Sequence, residues 1–260
     1  MARLSEIAFV LPETPESRAF LGDLRDLLAD VAYAGSPGEA ADRLTLTPPQ
    51  PAEARPVTAF VLADVAAPEI VLDTGQSIAT HAGTSGRQAL VEMPELARRL
   101  AGHVRRVDHT GVNLPAATTT PEQWNGLVRA IASASTMYRY PTGEDWPFVL
   151  PSTRAELHDD IRDFVVGREP RFELVHDRWR TQTEWQFALW TDLTRAELEL
   201  MFPEPEGTTF PELEEIFRVV PVRHPWPGLD IRFDLSYRIE DGPSDWETGE
   251  WLVTEGGRIR

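Results

Sequence analysis

The chain has 260 residues, of which 42% are hydrophobic and 26% charged, the proportions of a globular protein of one large or two small domains. Its 25 basic residues are all arginine and face 42 acidic ones, and a net charge of −17 repels nucleic-acid phosphates and anionic membrane surfaces. The absence of cysteine excludes disulfides, Fe–S clusters, thiolate metal sites and thiol nucleophiles, and the absence of lysine excludes Schiff-base chemistry and the P-loop and kinase lysines.

The first six residues lack a basic segment leading into an apolar core, so no signal peptide is expected and the expected location is cytoplasmic. The first structural unit is Phe9-Val10-Leu11-Pro12, a short strand. Glu13-Thr14-Pro15 then starts a helix running to Leu28, with Phe20, Leu24, Leu27 and Leu28 on one face. Strands are expected over 43–47 and 58–63. Residues 74–92 hold Gly75, Gly83, Ser85 and Gly86 with weak periodicity and read as a linker. A short helix follows, with Pro94 near its start and Gly102 past its end.

The strand–turn–helix unit then recurs. Val112-Asn113-Leu114-Pro115 leads through Thr120-Pro121 to a helix ending near Ser135. Phe148-Val149-Leu150-Pro151 leads through Ser152-Thr153 to an expected helix ending at Val166, whose apolar face is Leu157, Ile161, Phe164 and Val165. A looser copy, Phe187-Ala188-Leu189-Trp190, leads through Thr191-Asp192 to a helix ending near Phe202. In each unit a Ser or Thr suits the free N–H groups of the helix start, and Pro fits the first turn because it has no N–H to satisfy. Further strands are expected over 138–140, 172–176, 185–189 and 231–239. In the last, Ile231, Phe233, Leu235, Tyr237 and Ile239 point one way and Arg232, Asp234, Ser236 and Arg238 the other, the pattern of a half-buried strand.

These units predict an α+β fold of two related β-α-β-β-type halves, with curled mixed sheets and helices on the outer faces. The expected division is an N-terminal module over 1–73, a linker with a short helix over 74–103, and a C-terminal module with an extension over 104–260. A pair of ferredoxin-like units shares the same β-α-β grammar.

Chemistry concentrates on strand parity. In Val107–Leu114, Thr110, Val112 and Leu114 face the helix that follows, while His109, Gly111 and Asn113 face away. In Phe172-Glu173-Leu174, Glu173 likewise points away from the core. A neutral imidazole and a carboxylate on one sheet face suit Zn, Fe, Mn or Ni.

Asp108-His109-Thr110-Gly111-Val112-Asn113-Leu114 resembles the opening strand of a module in the vicinal oxygen chelate superfamily, the glyoxalase and extradiol dioxygenase clan. Phe172-Glu173-Leu174 is similar to its closing strand. The resemblance implies paired β-α-β-β-β modules curled into a cup and a divalent metal ion as cofactor, with His109 and Glu173 as metal ligands. It implies a metal-dependent lyase or dioxygenase-like enzyme acting on a small oxygenated molecule. Glu6, Asn113 and Asp234 are further ligand candidates, Glu6 by alignment of the first half and the others by parity. An extra strand–helix unit over 146–166 departs from the module, and the region from Trp179 onward has no counterpart in a minimal one.

The alternative is a non-catalytic protein that binds a small-molecule ligand or a partner, including a second copy in a homodimer, through an aromatic, Arg-bearing cup. Trp179, Trp185, Trp190, Trp226, Trp246 and Trp251 crowd the C-terminal third. His176 and Asp177 are strand neighbours and point to opposite faces, so they form no direct pair. His158 reads as solvated on a helix, His224 sits in a Pro-rich turn, and His81 lies in the linker. No dinucleotide fingerprint, P-loop, zincin helix, nucleophile elbow or EF-hand is present, and the acidic stretches over 197–215 and 240–255 read as solvated faces. Limited digestion with trypsin is expected to cut first at Arg87, within the linker; early cleavage between Arg154 and Arg168 would move the boundary there.

Overall fold

The computed structural model describes residues 7–10, 14–28, 43–46, 69–71, 77–79, 91–132, 137–140, 161–168, 171–177, 183–203, 217–225, 229–236 and 257–258. In chain order these form β1 (Ile7–Val10), α1 (Pro15–Leu28), β2 (Arg43–Leu46), β3 (Glu69–Val71), β4 (Ser77–Ala79), β5 (Val91–Glu92), α2 (Met93–Leu100), β6 (Val104–Pro115), α3 (Pro121–Ala132) and β7 (Met137–Tyr140). There follow β8 (Ile161–Arg168), β9 (Arg171–Asp177), β10 (Thr183–Thr191), α4 (Arg195–Met201), β11 (Phe217–Arg223), β12 (Leu229–Ser236) and β13 (Gly257–Arg258). The chain is α+β, with helices packed on a mixed sheet. The expected strand over 58–63 lies outside the described residues, as do 72–76, 80–90 and 237–256.

The helix ends follow from local chemistry. Thr14 Oγ1 accepts from the Ser17 N–H at 3.2 Å at the start of α1. Thr120 and Gln123 satisfy each other's backbone N–H groups at the start of α3, at 3.3 and 2.9 Å. Thr194 and Glu197 form the same reciprocal box on α4. Pro94 falls in the first turn of α2, and Gly102, just past its end, adopts φ +78°, a conformation glycine reaches without steric cost. The last carbonyls of α4 are met by arginines from elsewhere in the chain. Arg218 on β11 donates to the Phe202 carbonyl at 2.6 Å, and Arg99 on α2 donates to that of Met201.

β1 pairs with β2 and β3 with β4, each as a separate antiparallel pair. The other nine strands form one sheet in the order β13-β7-β8-β9-β6-β10-β12-β11-β5. Its left side is a β-α-β-β-β unit: β6, α3, then the antiparallel β7, β8 and β9, with β9 returning parallel to β6. On the right, β10 and α4 lead to the antiparallel β11 and β12, and β12 returns parallel to β10. β6 and β10 run antiparallel at the centre and join the two sides. The same return of a closing strand beside its opening strand therefore occurs twice within 104–236.

Two expectations are corrected. Residues 161–166 belong to strand β8, not to a helix. Ile161, Phe164 and Val165 suit a helical face, but Val165 and Val166 are β-branched, Gly167 is a poor helix former, and pairing with β9 supplies the hydrogen bonds. Residues 161–166 of the expected extra unit thus belong to the third strand of the β-α-β-β-β unit, and 146–160 lie outside the described residues. Second, β12 is not half-buried: Arg232, Asp234 and Ser236 are buried along with Ile231, Phe233 and Leu235.

One sheet face is apolar and packs with the helices. Val112, Leu114, Leu174, Trp185, Phe187, Leu189, Ile231, Phe233 and Leu235 share a core with Leu24, Leu96, Trp124, Leu127 and Leu198. The rings of Phe187 and Phe233 stack at 5.1 Å between β10 and β12, in the middle of this layer. Among the described residues no helix is long and apolar enough to cross a membrane. Phe233→Ala is expected to lower stability by about 3–5 kcal/mol through the cavity it leaves. Thr194→Ala, which removes one helix cap, is expected to cost about 1 kcal/mol. Chemical denaturation checks both.

Candidate functional site

The opposite face of the four central strands, β9, β6, β10 and β12, carries polar side chains shielded from water. His109, Asn113, Glu173, Glu184, Gln186, Arg232 and Asp234 are all 6% exposed or less. Strand alternation puts them there, with one adjustment. Ala188 pairs with His109 and Leu189 with Val107, so Asp108 is an extra residue in β6. The bulge resets the alternation. Val107 joins the apolar core while His109 and the alternate residues after it take the polar face.

His109 Nε2 lies 3.3 Å from Glu173 Oε2. Gln186 Nε2 is 3.3 Å from the same Glu173 oxygen and 3.4 Å from His109 Nε2. The three atoms form a nearly equilateral triangle. Gln186 can lie over this pair because position 111 is glycine: a Cβ there would fall inside the Gln186 side chain, with its Cγ and Cδ each at 2.5 Å.

The amide is anchored from behind. Arg232 Nη2 donates to Gln186 Oε1 at 2.6 Å and to Asp234 Oδ2 at 3.0 Å. Arg232 Nη1 reaches Glu184 Oε1 at 2.9 Å, and Asn113 donates to the same oxygen at 2.8 Å. Burial alone would lower the pKa of the guanidinium, but Asp234, Glu184 and Asp177 outweigh it and hold the group above its ordinary value. Arg232 is therefore held in its charged form. Among the described residues the patch carries one guanidinium, Arg232, and three carboxylates, Glu173, Glu184 and Asp234. Among the described residues Glu173 Oε1, Asn113 Oδ1 and Arg232 Nε are buried with no hydrogen-bond partner.

The sequence-derived site residues divide as follows. His109 and Glu173 come together. Asn113 and Asp234 lie on the same face, but each is engaged with the Arg232–Glu184 network. Glu6 lies outside the described residues, as do His81 and His158. Among the described residues no three His, Asp or Glu side chains converge, and the third corner is an amide. His176 is structural: it stacks on Trp124 at 5.0 Å on the helix side, and its Nε2 bonds the Thr119 carbonyl at 3.0 Å. His103 sits apart, with Nδ1 2.9 Å from Asp192. Sequence reasoning did not single out Glu184 and Gln186. The signal was the alternation of Glu184 and Gln186 with Trp185 and Phe187 along β10; the expected strand over 185–189 contained Gln186 but began one residue after Glu184.

Glu173 and His109 can act as metal donors or as a carboxylate–imidazole proton-transfer pair, and Gln186 offers a fixed polar group beside them. No protein-family model, no curated protein and no solved structure matches the chain.

Gly111→Ala is expected to destabilise the protein by about 1–3 kcal/mol through overpacking. Adding Gln186→Ala is expected to recover most of that loss, because the clash is with this side chain. A double-mutant cycle in urea measures the coupling, which vanishes if the cost at Gly111 does not come from the clash with Gln186.

Proposed function

We propose that this polar face holds a divalent metal ion and that the protein is a metal-dependent enzyme, similar to the vicinal oxygen chelate superfamily, acting on a small oxygenated molecule. The observation that carries the reading is the triangle of His109, Glu173 and Gln186. Donors at about 2.1 Å from one ion in tetrahedral geometry stand about 3.4 Å apart, close to the 3.3 Å between His109 Nε2 and Glu173 Oε2. The β-α-β-β-β unit and the parallel return of β12 beside β10 agree with paired modules sharing a site. Three carboxylates to one guanidinium among the described residues of the patch favour a cation, and Glu173 Oε1 is an acceptor with no hydrogen-bond partner among them.

His109 would donate through Nε2 and Glu173 through a carboxylate oxygen, while Gln186 would offer its amide oxygen after a rotation about its terminal bond. The bound ion would supply Lewis acidity, polarising a carbonyl or gathering vicinal oxygens. The protein's own part is to exclude water from the face, to hold His109 and Glu173 in register on neighbouring strands, and to keep a carboxylate within proton-transfer reach of the substrate. A second reading, a non-catalytic cup for a small polar ligand, draws on the Gln186 amide now presenting nitrogen to the pair.

A thermal melt of tag-free protein separates the two. On the enzyme reading, Zn²⁺ or Mn²⁺ raises Tm in proportion to binding, and His109→Ala and Glu173→Gln each abolish that rise. His109→Ala should itself melt close to the metal-free wild type. A wild-type Tm indifferent to both ions, with early melting of His109→Ala, would leave the ligand-binding reading standing.

A further inference from the structure

The third corner of the triangle is turned the wrong way for a metal. Gln186 directs its nitrogen, a donor with no lone pair to offer, toward His109 and Glu173. Its oxygen, the only metal-binding atom it has, is held by Arg232 at 2.6 Å. The two ends of the amide are unequally engaged. The Arg232 contact is short and charge-assisted, whereas the contacts to Glu173 and His109, at 3.3 and 3.4 Å, exceed good hydrogen-bond lengths.

Arg232 does not depend on Gln186 to stay in place. Glu184 and Asp234 hold it at 2.9 and 3.0 Å, so the guanidinium is a fixed post to which the amide is tied. Gly111 leaves the floor beneath the amide open enough for the side chain to lie flat over the pair. Turning the amide by half a rotation would present oxygen to His109 and Glu173, but it would set the amide N–H groups against Arg232, donor against donor.

We infer that Arg232 is a latch on the metal site: a positioning residue that holds Gln186 in its nitrogen-inward state and must yield its hydrogen bond before Gln186 can become the third ligand. This rests on the metal reading above and adds that the site's affinity is set by a residue that does not touch the ion. Loading then couples the His109–Glu173 pair on β6 and β9 to the Glu184–Arg232–Asp234 cluster on β10 and β12.

The test measures Zn²⁺ binding by isothermal titration calorimetry on the full-length, metal-stripped protein. Arg232→Met combined with Asp234→Asn removes the latch while leaving net charge unchanged, so any gain is not simple electrostatics. The expected result is Zn²⁺ binding tighter by tenfold or more. Adding Gln186→Leu to this pair should erase the gain. If the double variant fails to fold, as judged by its thermal melt, Arg232→Lys takes its place. A lysine keeps the charge beside Glu184 and Asp234 but lacks the planar fork that serves three acceptors together, and binding tighter by at least threefold is expected. Wild type binding Zn²⁺ as tightly as the latch-free variant would overturn the latch and leave the metal site standing. No binding by wild type or by either Arg232 variant would overturn the metal reading and the latch together.

Discussion

The polar face exists because Arg232 lies between Glu184 and Asp234. Two carboxylates buried in the middle of a sheet are costly unless a cation compensates them, and removing the cation from such a cluster typically costs about 3–5 kcal/mol. With the guanidinium present, β10 and β12 can turn charged residues inward at Glu184, Arg232 and Asp234 while their alternate residues fill the apolar core. Asn113 and Gln186 are both oriented by this cluster, one through Glu184 and the other through Arg232 itself. The candidate site is thus suspended from an ion pair on the neighbouring strands. Its third corner faces as it does for reasons outside the corner.

The backbone arrangement makes this convergence possible. β9 returns parallel to β6, β12 returns parallel to β10, and β6 and β10 pair antiparallel between them. Four adjacent strands therefore gather side chains from position 109 to position 234 into one patch. Each crossover unit contributes half of it: His109, Asn113 and Glu173 from one, Glu184, Gln186, Arg232 and Asp234 from the other. The bulge at Asp108 completes the arrangement. Without it, Val107 would share the face of His109 and an apolar side chain would sit at the edge of the polar cluster.

Tight packing on both faces constrains these four strands. The helix side is filled by Trp124, Phe187, Phe202 and Phe233, and the polar side has no room even for a Cβ at position 111. A rotation of one amide is a small movement in such surroundings, whereas a shift of a strand would disturb both layers.

Much was legible from the amino-acid order alone, where the physics is local. Thr14-Pro15 and Thr120-Pro121 mark helix starts because capping involves residues three apart. The parity of His109, Glu173, Arg232 and Asp234 follows from the two-residue period of a strand, provided the strand is recognised. Tertiary structure alone decided that residues 161–168 form β8, because their apolar pattern suits either a helix or a strand and only the partner β9 breaks the tie. It also decided which strands are neighbours, and hence that Gln186 closes a triangle with His109 and Glu173, separated from it by 77 and 13 positions. The direction of the Gln186 amide was beyond any local rule, since it is set by a guanidinium 46 residues away in sequence. Periodicity tells which face a side chain takes; its partners, and the state they hold it in, depend on contacts that exist only once distant strands have paired.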